Sequence, residues 1–404
     1  MELLRFATAG SVDDGKSTLI GRLLHDTKSL LDDTIEAITR TTEARGGEGI
    51  DLALITDGLR AEREQGITID VAHRYFATAK RSFVIADTPG HVQYTRNMVT
   101  GASTSDAAVI LVDARHGLRE QSYRHTQLTA LLGIGQLIFA VNKMDLVGWS
   151  QERFDEVAAE VGVLTDRLGV DAVVIPLCAL DGGNVVDPAP ETPWYAGPTL
   201  LGWLEDMPLP EHEGRSGARL PVQWVVRPEV GSTEPRWYAG PLTGGLFAVG
   251  DEVVALPGGR HSHIAAVDGT GAATRVQLTD EVDIARGDLL ASSARPPSVV
   301  NTIRATVCWM TDVPLGAGDR VLVKHTSRVV KAIVTDIHDR LDITTGIVDP
   351  DAHKLGLNDI GTISLRLASP LVVDDYGVNR STGSFIAIDE TTNATVLAGM
   401  IRQG

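Results

Sequence analysis

The sequence predicts an α/β domain with a doubly wound, mostly parallel sheet, followed by two all-β barrel domains. Three observations predict it. Short apolar runs alternate with helical patterns up to about residue 210. A glycine-rich loop leads into the first helix. From Leu220 onward the helices give way to short β-rich runs separated by Gly, Pro and Asp turns. The expected boundaries are 1–213, 218–296 and 299–404.

Taken in order, residues 4–9 form an apolar strand, and a helix starts at Lys16. Further strands are expected at 83–86, 107–112, 137–141 and 172–176. Val109-Ile110-Leu111-Val112 and Ile138-Phe139-Ala140-Val141 show no polar alternation, which suits strands covered on both faces of a parallel sheet. A proline-rich stretch covers 187–221, with a short helix at 199–205 and a linker at 211–217. The β-rich runs are 222–226, 246–249, 252–256 and 263–267. Beyond the break Arg295-Pro296-Pro297-Ser298 they are 302–307, 320–324, 328–337, 360–367 and 384–388.

The 404 residues are 43% hydrophobic and 22% charged, as in ordinary globular chains. No run approaches the ~20 apolar residues of a membrane span. The N-terminus lacks the basic-then-apolar pattern of a secretory signal. A net charge of -17 disfavours broad binding to nucleic acid. Cys178 and Cys308 are far apart and outside any C-x-x-C, so neither a disulfide framework nor a zinc site is expected, and a reducing cytoplasm fits. His261-x-His263 is expected to be a surface turn, with no third ligand nearby in sequence.

Gly10-Ser11-Val12-Asp13-Asp14-Gly15-Lys16-Ser17 matches G-x-x-x-x-G-K-[ST], and Thr18 continues into the helix. Glycines let the backbone wrap a phosphate, and successive N–H groups then point at its oxygens. Lys16 reaches the outer phosphates and the Ser17 hydroxyl can ligate Mg²⁺. A chance match in a chain this long is on the order of one or two per cent, and the strand before and helix after lower it further.

Three downstream motifs select the base and the chemistry. Asp87-Thr88-Pro89-Gly90-His91 follows the apolar run 83–86. There Asp87 holds Mg²⁺ through a water, Gly90 N–H senses the γ-phosphate, and His91 positions the attacking water. Asn142-Lys143-Met144-Asp145 follows the run 137–141. The Asp145 carboxylate accepts from the ring N–H and amine of guanine, a donor pair adenine lacks. Asn142 braces the loop and the Lys143 stem covers the base. Backbone N–H groups of Cys178-Ala179-Leu180 are placed to meet the guanine carbonyl. Thr68, in Arg63-Glu64-Gln65-Gly66-Ile67-Thr68-Ile69-Asp70, is the candidate second hydroxyl on Mg²⁺. Asp57, Asp113 and His116 are expected to be solvated polar loop residues without a role.

The ordered motifs, His91 after D-T-P-G and two barrels resemble elongation-factor-type GTPases. Particular segments are similar to the large GTPase subunit of bacterial sulfate adenylyltransferase: residues 12–26, 57–72 and Gln93-Tyr94-Thr95-Arg96-Asn97-Met98. Pro193-Trp194-Tyr195, Gly197-Pro198-Thr199-Leu200-Leu201, Thr382-Gly383-Ser384-Phe385 and Thr392-Asn393-Ala394-Thr395 also fit. The resemblance implies an α/β P-loop GTPase domain with GTP and Mg²⁺ as cofactors. It also implies a small catalytic subunit as partner, which transfers AMP from ATP to sulfate to give adenosine 5′-phosphosulfate and pyrophosphate. GTP hydrolysis would drive that uphill transfer through a linkage between subunits.

The sequence departs from the family at Val92, where Glu is frequent, at Cys178, where Ser is usual, and near 230–236 and 269–274. No second phosphate loop occurs, so the fused adenylylsulfate kinase of some members is not expected. The alternative is an elongation-factor-like carrier of aminoacyl-tRNA, which calls for a basic RNA-facing surface that the charge opposes. A third reading is a GTP-dependent regulator or scaffold without a metabolic partner.

Overall fold

A computed structural model describes residues 2–30, 32–44, 51–55, 70–91, 94–208, 216–227, 235–343 and 345–403. Thr68, Asp57 and Val92 lie outside the described residues, as does most of 230–236. The chain divides into two compact units, Met1–Pro210 and Glu211–Gly404.

The first unit is built on six strands: β1 (Glu2–Ala9), β2 (Ala72–Ala77), β3 (Arg81–Asp87), β4 (Ala107–Asp113), β5 (Gln136–Asn142) and β6 (Asp171–Pro176). Their order is β2-β3-β1-β4-β5-β6, parallel except for β2 against β3. Strand β4 is buried along its whole length, as its unbroken apolar run requires when helices cover both faces. The helices are α1 (Lys16–Asp26), α2 (Asp32–Ala44), α3 (Thr95–Ala102), α4 (Glu120–Leu131), α5 (Gln151–Leu168) and α6 (Leu200–Asp206).

Leu19, Ile20, Leu23 and Leu24 of α1 pack into a core with Phe6, Ile85, Leu111 and Ile138. Each such side chain contributes about 1.5–3 kcal/mol by leaving water. Helix α5 starts at Ser150, whose hydroxyl accepts from Arg153 N–H, and ends at Gly169 in the left-handed region. Thr199 caps α6 in the same way through Gly202 N–H.

Two strands leave β1 on one side and β4 lies on the other, so the strand order switches at the carboxyl end of β1. Ligands of open α/β sheets bind at that crevice. The register sets Thr8 beside Asp87 and Asp113 beside Asn142, so the motif-bearing strand ends share one edge.

The second unit carries two seven-stranded sheets. The first comprises β7 (Arg219–Pro221), β8 (Trp224–Val226), β9 (Trp237–Gly240), β10 (Glu252–Leu256), β11 (Arg260–Asp268), β12 (Thr274–Leu278) and β13 (Leu289–Ser292), ordered β7-β13-β10-β11-β12-β9-β8. One extended run, 219–226, serves as both ends of that order and so closes the sheet into a barrel. The strands that follow are β14 (Ser298–Trp309), β15 (Leu315–Gly316), β16 (Arg320–His325), β17 (Arg328–Leu341), β18 (Val348–Asp349), β19 (Lys354–Leu355), β20 (Ile360–Val373), β21 (Ser384–Ile388) and β22 (Thr395–Ile401), seven of which form the second sheet in the order β16-β21-β22-β14-β20-β17-β18. The two short strands β15 and β19 pair apart from it. Because β16 pairs with both β21 and β17, six strands form a closed ring.

Along β10, Val253 and Ala255 face the interior of the first barrel. Val254 and Leu256 face outward and pack with Leu289, Ala291 and Val372. Between the barrels Arg219, 1% exposed, grips the buried Asp374 with Nε and Nη2 at 3.0 and 3.1 Å. Thr382 Oγ1 donates to the same carboxylate at 2.6 Å.

Two expectations need correction. Residues 246–249 form no strand; Leu246 and Val249 are exposed, and Gly244, Gly245 and Gly250, all at positive φ, break the run on both sides. His261 and His263 lie on the exposed face of β11, not in a turn, and His261 pairs with Glu252 at 3.0 Å.

Candidate functional site

The loop Gly10 to Gly15 joins β1 to α1, with Gly15 as the N-cap of α1 at φ 93°. Only glycine fits there: a Cβ would lie 2.4 Å from Asn142 Nδ2. Asp13 also takes a left-handed φ of 69°, and Ser11 N–H donates to Asp14 Oδ2 at 2.6 Å. Lys16 is buried, with Nζ 3.2 Å from Gly10 O and 3.3 Å from Ser11 O. Burial lowers the pKa of this ammonium, with Asp87, Asp14 and Asp13 opposing the shift. Burial likewise raises that of Asp14, against the Ser11 hydrogen bond and Lys16. Ser11 Oγ is buried without a hydrogen-bond partner. Ser17 and Thr18 follow, half-buried, in the first turn of α1, and Val12 is half-buried in the loop.

Asp87 ends β3, fully buried, and accepts from Thr8 Oγ1 at 3.4 Å. Thr88 Oγ1 donates to Thr8 O at 2.6 Å, which ties this segment to β1. Pro89 and Gly90 are buried behind it. A Cβ on Gly90 would stand 2.5 Å from Lys16 Nζ and 2.6 Å from Gly10 O, so this glycine lies directly against the phosphate loop. His91 follows, half-buried, its ring 6.0 Å from that of Tyr94.

Asn142 joins the two halves of the site. Its Nδ2 donates to Asp14 O at 2.7 Å and its Oδ1 accepts from Ala179 N at 2.9 Å. Lys143 Nζ donates to Asp13 O and pairs with Asp113 Oδ2 at 3.0 Å. The head of Lys143 therefore bridges β4 to the phosphate loop. Met144 is fully buried, and its N–H donates to Leu177 O at 3.3 Å; it contributes packing, not a contact group. Asp145 is half-buried, and its carboxylate, Cys178 Sγ and an Asp181 oxygen lie within 4.8 Å of one another.

The Cys178 thiol is pushed up to about 12, burial being the main cause and Asp145 a further one. It stays protonated and donates to Asp181 Oδ2 at 3.5 Å, so it acts as a weak donor to the carboxylates and not as a thiolate metal ligand. Of the three amides expected to face the guanine carbonyl, Cys178 N–H is bound to Gly183 O at 3.1 Å and Ala179 N–H to Asn142. Leu180, exposed, carries the third.

Two residues that contact the site lacked a motif. Asp113 is no solvated loop residue: it is buried at the end of β4 and holds Arg115 at 3.0 and 2.7 Å as well as Lys143. Burial alone would raise its pKa, but the Arg115 and Lys143 hydrogen bonds outweigh it and hold the carboxyl well below the usual range. Its place directly after an apolar strand, as with Asp87, was the available signal. The other is His125 of α4, buried beneath the loop, whose Nδ1 accepts from Gly10 N–H at 3.1 Å. Burial, helped by Lys16 and Arg124, brings it down to about 3, so it is neutral. His116 is exposed, as expected.

The profile described as "Elongation factor Tu GTP binding domain" matches residues 1–228, and "GTP-eEF1A C-terminal domain-like" matches residues 302–402. The chain is 52% identical over 411 residues to the bifunctional enzyme CysN/CysC of Mycobacterium tuberculosis, covering 99% of this chain and 67% of that enzyme. It is 48% identical over 414 residues to sulfate adenylyltransferase subunit 1 of Aeromonas hydrophila, covering 100% and 86%. Against the subunit 1 of Methylorubrum populi the identity is 47% over 413 residues, covering 99% and 87%. Among the described residues no helix is long and apolar enough to cross a membrane.

Proposed function

The chain belongs to the sulfate adenylyltransferase subunit 1 family, within the elongation-factor-type GTPases, and from that premise we propose how its own residues bind and hydrolyse GTP. It is the GTPase subunit of sulfate adenylyltransferase. The observation that carries the site assignment is Asn142, which hydrogen-bonds the phosphate loop through one side-chain atom and the 178–180 loop through the other. Triphosphate grip and base reading are thereby braced by one buried amide.

In this reading the backbone N–H groups of residues 12, 13 and 15 and the N-terminus of α1 take the phosphates. Lys16 gives up the carbonyls of Gly10 and Ser11 for the outer phosphate oxygens. The Asp145 carboxylate accepts from the two guanine donors, and the 178–180 loop meets the guanine carbonyl. Gly90 N–H contacts the γ-phosphate, and His91 orients the attacking water. Hard oxygen donors suit Mg²⁺, and the hydroxyl of Ser17 and the carboxylate of Asp87 stand at the phosphate edge. Ser17 directly, Asp87 through a water and Thr68 would hold that ion, which neutralises charge building on the phosphates.

The partner is a small catalytic subunit that forms adenosine 5′-phosphosulfate and pyrophosphate from ATP and sulfate. GTP hydrolysis here draws that reaction forward. The two sheets of the second unit support separate barrel domains at 218–296 and 299–404 after a GTP-binding domain at 1–213. Two free, buried cysteines support a reducing cytoplasm.

The test measures GTP hydrolysis with and without the small subunit, ATP and sulfate. Stimulation by all three together is expected. Hydrolysis indifferent to them but stimulated by ribosomes would overturn the assignment. For the base, Asp145→Asn should move preference from GTP to XTP, since the hydrogen-bond polarity reverses. An unchanged GTP/XTP ratio would remove Asp145 from the site.

A further inference from the structure

We infer that Arg22 of α1 is a positioning residue for base recognition: it clasps the carbonyls of Ala179 and Leu180 and so sets the direction in which that loop presents its free amide. Arg22 Nε donates to Ala179 O at 3.2 Å, and Nη2 donates to Leu180 O. The guanidinium is itself held by Asp26 one turn later, Nη1 to Oδ1 at 3.4 Å, and is largely shielded, its side chain 18% exposed. His25 Nδ1 sits 2.8 Å from the same Asp26 oxygen, which fixes the carboxylate in turn.

The geometry acts through one peptide group. Ala179 C=O and Leu180 N–H belong to the same planar unit and point in opposite directions. Pulling the carbonyl toward α1 therefore aims the amide away from α1. This amide is the one of the three that the loop does not consume: Cys178 N–H goes to Gly183 O and Ala179 N–H to Asn142 Oδ1. A forked guanidinium holds two neighbouring carbonyls at once, which a single ammonium cannot do with the same rigidity. Helix α1 begins at the phosphate loop, so the orientation of the base loop is tied to the element that grips the triphosphate.

This inference rests on the reading that the 178–180 loop meets the guanine carbonyl, and the test separates the two. Binding of GTP, ITP and 6-thio-GTP is measured for the full chain and for Arg22→Ala, with thermal unfolding to verify the fold. ITP keeps the carbonyl and loses the 2-amino group, whereas 6-thio-GTP keeps both donors but replaces the oxygen acceptor with a weak sulfur one. Arg22→Ala is expected to weaken GTP and ITP about 10-fold and 6-thio-GTP less than about twofold, the scale of one charge-assisted hydrogen bond's orientation. Arg22→Lys, which keeps the charge and one donor, should lose about threefold with the same selectivity.

Equal weakening of all three nucleotides in both variants would reduce Arg22 to a structural role, and unchanged binding would overturn the inference outright. A wild-type chain that binds GTP and 6-thio-GTP equally would sink the carbonyl reading itself.

Discussion

Replacing Asn142 with alanine should cripple nucleotide binding while leaving the sheet intact. The side chain is 2% exposed and makes two hydrogen bonds, 2.7 Å to Asp14 O and 2.9 Å from Ala179 N–H. Its removal strands both partners in a dry site, at about 1–3 kcal/mol each. Water entering the space left by the amide can re-pair one of them, so the net loss should be about 1–3 kcal/mol, or roughly 5- to 160-fold in affinity. The cost falls on binding because both loops lie at the carboxyl edge of the sheet. Without ligand they can relax and hydrate, and the ligand must then pull them back. The strands beneath, with Ile138, Phe139 and Val141 fully buried, lose nothing. Asn142→Asp should be worse, because it turns an acceptor toward Asp14 O. Equilibrium GDP binding by fluorescence, paired with thermal unfolding, measures this. Affinity within about threefold of wild type would refute the brace.

Three further outcomes follow from particular contacts. Arg219→Met should cost about 3–5 kcal/mol in chemical denaturation, because Asp374 stays buried with Thr382 alone donating to it, whereas Arg219→Met with Asp374→Leu should recover most of that. Equal loss in the single and double variants would refute the pairing. His125 has a folded pKa of about 3, below its ordinary 6.5, so between those values the unfolded chain binds more protons. Stability is full above pH 6.5 and falls toward pH 3, by up to about 1.4 kcal/mol per pH unit from this group, and His125→Gln should flatten that slope. The Cys178 thiol, buried and pushed up to about 12, should resist iodoacetamide at pH near 8 until the chain unfolds; rapid native-state labelling would contradict its environment.

The first half of the fold was legible because its chemistry is local. Residues 10–18 are contiguous, and the motifs at 87–91, 142–145 and 178–180 each sit directly after an uninterrupted apolar run, so their placement on one sheet edge could be read from spacing; the segment with Thr68 follows no such run. Asp113 escaped because a single Asp after a strand carries no pattern; its role comes from Lys143 and Arg115, which reach it from other segments or fold back on it. His125 is invisible for the same reason, since only the packing of α4 against β4 brings it to Gly10. In the barrels, alternation found most strands, such as residues 384–388, where β21 has the same bounds. It failed at 246–249, where the apolar residues have no partner strand and the flanking glycines turn the backbone away.

Ring closure also governs how each unit meets other chains. The six strands β16, β21, β22, β14, β20 and β17 satisfy one another's backbone groups, and the run 219–226 does the same for the preceding barrel. Neither ring, among the described residues, offers another molecule a row of unpaired amides. Among the described residues the sheet of the first unit ends at β2 on one side and β6 on the other. Strand β2 guards its edge with His73, Arg74 and an exposed Tyr75, whereas β6 begins with the single charge of Asp171 and has its Val174 and Pro176 carbonyls taken by Tyr195 Oη and Asn184 Nδ2. If partly unfolded copies of this acidic chain ever template one another into fibrils, the seam should open at β6, long before either ring gives way.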